Sequence, residues 1–92
     1  MAEAKFFEKA AEDVKKHVKS LSNEKMLELY GLYKQANFGD CNIKEPGMLD
    51  LKAKAKWKAW NALKGKDKEE AKVEYVKLVL ALLPEEIKNE YK

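Results

Sequence analysis

Apolar residues return at helical intervals through four stretches of this chain, while Gly39, Pro46, Gly47, Gly65 and Pro84 fall between them. Phe7, Ala10, Ala11, Val14 and Val18 make one such stripe, which only a helix brings to a single face. The first helix is therefore expected over roughly Ala4 to Lys19. The second begins at Ser22-Asn23, both good N-caps, with Glu24 in its first turn where a carboxylate suits the helix dipole. It carries Met26, Leu27, Leu29, Tyr30, Leu32 and Tyr33, and stops at Gly39. The third covers about Leu51 to Lys64 and ends at Gly65. Asp67, with Glu70 three residues on, opens the fourth in a near capping box, and Ala71, Tyr75, Leu78, Val79 and Leu82 form its stripe. Pro84 stops or restarts the chain.

Between the second and third helices, Asn37 to Asp50 runs fourteen residues without periodicity. A connection that long in so small a domain is functional or mobile, and it can cross a bundle, so helices two and three need not be antiparallel. The expectation is an all-α four-helix bundle in one domain, residues 1–92, with a core over about 4–83 and a polar C-terminal tail over 84–92.

Charge narrows the function. The net charge is +3, and every cation is a lysine. Readers of nucleic acid lean on arginine for bidentate contacts, so a nucleic-acid partner is not expected. A weak positive balance suits a small anionic ligand. The single Cys41 has no internal disulfide partner, which points to a reducing compartment. The N-terminus has no apolar signal region, and the longest apolar run, Leu78 to Leu83, is six residues, so neither secretion nor stable membrane insertion is expected. The expected setting is cytoplasmic, as a monomer. The alternative is a lysine-rich helical module for membrane surfaces or protein partners.

Chemistry-bearing residues are few. His17 stands among lysines with no nucleophile beside it, and His17 with Cys41 makes no metal-ligand spacing, so no catalytic residue, metal or cofactor is expected. Tyr30, Tyr33 and Lys34 share about a third of the second helix's circumference with Met26 and Leu27. Such a face can stack on a purine and pair with a phosphate, or can be two half-buried core phenols with a lysine at the rim. Gly31 between them admits either a close ligand approach or a tolerated surface glycine. In the run Lys52 to Lys58, helical geometry sets Lys52 and Lys56 on one face and Lys54 and Lys58 on nearly the opposite one, so at most half of it addresses a single anion. Trp57 and Trp60 read as core anchors.

The strings Y-G-L-Y-K-Q-A (Tyr30 to Ala36), G-D-C-N (Gly39 to Asn42) and P-G-M-L-D-L-K-A-K-A-K-W-K-A-W-N-A-L-K-G (Pro46 to Gly65) closely resemble the acyl-CoA-binding protein family, also called the diazepam-binding inhibitor family. F-x-K-A-A-E-D-V-K (Phe7 to Lys15) and K-E-E-A-x-x-x-Y (Lys68 to Tyr75) extend the match from about Phe7 to Leu82. The resemblance implies an up-down-down-up bundle that binds medium- to long-chain acyl-CoA esters without catalysis, as a carrier and pool former with at most transient membrane contact. It implies further that Tyr30, Lys34 and Lys56 hold the 3′-phosphate, that adenine stacks near Tyr33, that Lys15 and Tyr75 complete the site, and that Met26 and Leu27 line the acyl groove. Ala53 departs from the family's usual glycine, Phe38 is bulkier than usual, and the acidic stretch after Pro84 replaces a lysine-rich tail.

Overall fold

The computed structural model describes residues 4–17 and 21–91. A 3-10 turn, Ala4–Phe6, leads into α1 (Phe7–Lys15); α2 is Asn23–Phe38, α3 Leu51–Asn61 and α4 Lys68–Leu82. After Pro84 come a short helix, α5 (Glu85–Lys88), and a final 3-10 turn, Asn89–Tyr91. The four longer helices form the expected up-down-down-up bundle: α1 packs on α4, α4 on α2, and α2 on α3.

The helix starts are built by side-chain caps. Ser22 Oγ accepts from the Lys25 amide at 3.2 Å, Asp50 from Ala53 at 3.1 Å, and Asp67 from Glu69 and Glu70 at 3.1 and 3.4 Å. Each satisfies backbone donors that a helix leaves open at its first turn. Gly39 ends α2 at φ 78, in the left-handed region that an L side chain rarely adopts.

Two boundaries differ from the sequence expectation. The first α-helix is shorter than Ala4 to Lys19, because its entry is a 3-10 turn and it ends at Lys15; Val18 and Lys19 lie outside the described residues. The third ends at Asn61, where successive bonds such as Leu63 N–H to Trp60 and Lys64 N–H to Asn61 tighten the chain into 3-10-like turns.

The core is made by α1, α2 and α4: Phe7, Ala10 and Val14 meet Leu29, Leu32 and Ala36 across Tyr75, Val76 and Val79. The expected polar tail needs correction. Pro84 turns the chain, Ile87 packs against the core, and Tyr91 is fully buried at 0% exposure. Its ring lies 5.2 Å from that of Phe6, and its hydroxyl donates to Asp13 at 2.6 Å. Lys9 adds ion pairs to Asp13 and Glu90 at 3.2 and 2.6 Å. A buried aromatic carries enough apolar area to dock a segment whose other residues are mostly charged.

Alone among the four longer helices, α3 contributes only one buried side chain, Trp60. It is held by a close crossing on α2: a Cβ at Gly31 would stand 2.6 Å from the Ala59 carbonyl oxygen. That contact settles the role of Gly31. The glycine admits a neighbouring helix, not a ligand, and it is buried rather than a surface position.

Candidate functional site

The long connection is tied down along its first half. The Trp60 indole N–H donates to the Gly39 carbonyl at 2.8 Å, and that of Trp57 to Ile43 at 2.9 Å. Asp40 accepts from the Gly65 amide at 2.7 Å and from Gln35 Nε2 at 3.0 Å. The Gly65 bond, then that from Gln35, holds the Asp40 carboxyl below the ordinary carboxylate range. Gln35, buried in α2, also donates to the Lys66 carbonyl at 2.7 Å. Glu45 pairs with Lys54 at 3.2 Å. The expectation that both tryptophans are core anchors fits Trp60; Trp57 is half-buried and anchors the connection instead.

These ties keep α3 standing off the core, and a cavity of about 780 Å³ opens between α2, α3 and the inner faces of α1 and α4. That volume falls within the roughly 300–1,000 Å³ typical of small-molecule sites. Seven of the eight residues expected from sequence line it: Lys15, Met26, Leu27, Tyr30, Tyr33, Lys56 and Tyr75. The eighth, Lys34, lies one helical turn beyond Tyr30, with its ammonium 5.7 Å from that ring. Lys56 approaches the same ring at 5.5 Å. Tyr30 thus stands beside two ammonium groups brought from different helices. Lys34 also rests over Phe38 at 4.9 Å and Trp60 at 5.7 Å, which gives the unusually bulky Phe38 a packing role.

The cavity has a polarity gradient set by one helix. From Met26 and Leu27 to Lys34, α2 rises about 12 Å, passing from apolar surface to phenol to ammonium. Tyr33, 41% exposed, is backed by Phe7, with ring centroids 5.5 Å apart and planes 25° from parallel. Tyr75 stands edge-on to Phe7 at 5.1 Å. Burial, followed by the neighbouring Tyr33, pushes the Tyr75 hydroxyl up to about 12, so it stays a neutral donor. A second, polar cleft of about 450 Å³ shares Lys15 and Tyr33 with the first and adds Lys5, Asn37 and Lys72.

Sequence reasoning missed several lining residues. Val14 carries a signal as part of the first helical stripe, and Lys52 as the i−4 neighbour of Lys56. Leu51 carries none, because its place depends on where the long connection delivers the chain. Lys52 and Lys56, on one face of α3, line the cavity, while Lys54, on the other, pairs with Glu45. Among the described residues, no three His, Cys, Asp or Glu side chains gather as metal ligands, and no helix is long and apolar enough to cross a membrane.

A family model described as "Acyl CoA binding protein" matches residues 4–79. The chain is 58% identical over 72 residues to the acyl-CoA-binding protein of Dictyostelium discoideum, covering 78% of this chain and 86% of that one. It is 51% identical over 77 residues to the acyl-CoA-binding protein homolog of Drosophila melanogaster, covering 84% and 90% respectively. Among solved structures, Oryza sativa Acyl-CoA-Binding Protein 2 superimposes with a TM-score of 0.83 at 43% identity, over 96% of each chain. The acyl-CoA-binding protein from Babesia bovis T2Bo gives 0.71 at 46% identity, over 87% of this chain and 92% of that one.

Proposed function

The chain belongs to the acyl-CoA-binding protein family, and from that premise we propose how it binds medium- to long-chain fatty acyl-CoA thioesters and carries them. The observation that supports the reading is the gradient along α2, which matches an amphiphile: an apolar wall at Met26 and Leu27, then Tyr30 beside Lys34 and Lys56. The acyl chain lies along the wall. The 3′-phosphate of the nucleotide takes the Tyr30 hydroxyl and the two ammonium groups, adenine lies against the open side of Tyr33, and Lys15 and Tyr75 close the site.

The energetics divide the labour. A C16 chain hides about 15 carbons at about 0.8 kcal/mol each, on the order of 12 kcal/mol if wholly buried. Lost freedom and incomplete burial take back much of that. The head group contributes selectivity over free fatty acid, and lysine suits phosphates that stay partly in water because it is a flexible point charge. Among the described residues no nucleophile with an adjacent base lines the cavity, and our reading is of a non-catalytic carrier and pool former. We place it in the cytoplasm as a monomer that meets membranes only transiently.

Calorimetric titration tests this. Palmitoyl-CoA is expected to bind far more tightly than CoA, and palmitate hardly at all. Lys56→Ala should weaken palmitoyl-CoA binding by roughly tenfold, the scale of one charge-assisted bond, while Lys58→Ala stays nearly silent. Equal affinity for palmitate and palmitoyl-CoA would falsify the reading.

A further inference from the structure

The second half of the long connection makes a tight turn, in which the Asp50 amide donates to the Gly47 carbonyl at 3.1 Å. Such corners ordinarily carry Asn, Asp, Ser or Gly, because the chain itself cannot bury them. Here the two corner residues are Met48 and Leu49, 80% and 100% exposed, and Leu51 just beyond is 74% exposed. Neither Met48 nor Leu49 lines the cavity, so they are not spare acyl-contact surface. Leu51 and the exposed Met26 both line it, which sets the apolar corner beside the opening.

The charges around this corner are predominantly positive. Residues 44–58 hold five lysines against two acids. Both acids are engaged, Glu45 with Lys54 and Asp50 as the α3 cap. Lys44, Lys52 and Lys56 remain exposed. Two large apolar side chains at the apex of a convex turn, ringed by ammonium groups, match a bilayer whose surface is anionic and whose interior is apolar. A second copy of the chain fits poorly, since a two-fold contact through this apex would oppose the same lysines across the symmetry axis.

We propose that Met48 and Leu49 insert into the headgroup layer of an anionic membrane, with Lys44 and Lys52 against the lipid headgroups, and so seat the cavity mouth at the bilayer surface. This rests on the carrier reading only for its purpose: a ligand whose tail partitions into bilayers is then loaded and released without crossing water.

The test is co-sedimentation, without acyl-CoA, on vesicles of phosphatidylcholine alone and of phosphatidylcholine with phosphatidylserine. The wild-type chain should bind the mixed vesicles better, and added salt should weaken that binding. M48S/L49S should lose vesicle binding by about tenfold or more, with palmitoyl-CoA affinity and the unfolding midpoint unchanged. The proposal is overturned if the wild-type chain ignores the mixed vesicles, or if the double variant binds them equally well. It is overturned also if the substitutions weaken palmitoyl-CoA binding, which would make the corner part of the ligand site, or if they abolish only self-association. A chain that docks through this corner yet fails to bind palmitoyl-CoA would sink the carrier reading and leave the docking surface standing.

Discussion

The flanks of α2 are built on opposite plans. Toward α1 and α4, side chains interdigitate: Leu29, Leu32 and Ala36 disappear against Phe7, Tyr75 and Val76, and Tyr91 closes the far edge. Toward α3 there is one buried indole, one backbone crossing at Gly31, and a set of hydrogen bonds from the tryptophans to the long connection and from the Gly65 amide to Asp40 within it. Filling space stabilises but leaves no room. A few directional contacts hold a helix in place while leaving a volume beside it. On the proposed reading, packing and ligand contact fall mainly on different sides of α2, with Leu29 and Tyr75 shared between core and cavity, and substitutions away from that boundary should separate them.

The largest expected effect is on the packed side. Tyr91→Ala removes a fully buried ring and leaves Asp13 without its hydroxyl donor, and should lower unfolding free energy by about 3–5 kcal/mol in denaturant titration. At temperatures where the variant is folded, palmitoyl-CoA affinity should be near wild type. A large loss of affinity by the folded variant would show that the two sides are not separable.

Gly31→Ala probes the other side. Alanine favours an isolated helix by about 1 kcal/mol, but its Cβ meets a backbone carbonyl that cannot rotate away, and overpacking costs about 1–3 kcal/mol. The net change in stability should be small. Palmitoyl-CoA affinity, by contrast, should drop by on the order of tenfold, because α3 must move and the cavity with it. A destabilised variant that binds normally would show that the crossing supports the fold and not the site.

Acid gives the smallest and most selective effect. Burial would raise the Asp13 carboxyl, but the Tyr91 hydroxyl and the Lys9 ammonium outweigh it, so Asp13 sits below its ordinary value; Asp40 is lowered too. Groups that titrate lower when folded add stability above their unfolded value, and that contribution disappears as pH falls through the folded one. The unfolding midpoint should therefore decline below the ordinary carboxylate range. Asp13→Asn should flatten that decline more than Asp40→Asn, since Asp13 is nearly buried and Asp40 is exposed to water. The reverse order would place the greater electrostatic strength in the loop.

What the sequence disclosed follows the same division. Stripes such as Phe7, Ala10 and Val14 repeat at the helical period, so the packed side could be read from spacing. Tyr30, Tyr33 and Lys34 could be grouped on a face, yet spacing left open whether that face met a core or a ligand. The position of α3 was harder to read. It depends on Gly31 meeting Ala59 and on two indole bonds to carbonyls, contacts across 14 to 28 residues that no local period encodes. Tyr91 was missed because one aromatic among charged residues has no pattern, and its burial depends on a chain reversal at Pro84.

Both tryptophans of the chain belong to α3 and point their N–H groups into the connection. Their ultraviolet emission is consequently a local gauge of the open side. Ligand entry that shifts α3 alters the surroundings of Trp60, whose ring lies 5.7 Å from the Lys34 ammonium, whereas loosening of the Tyr91 edge leaves both indoles undisturbed until the whole bundle gives way. A fluorescence titration would thus follow the open side of the molecule without any introduced label.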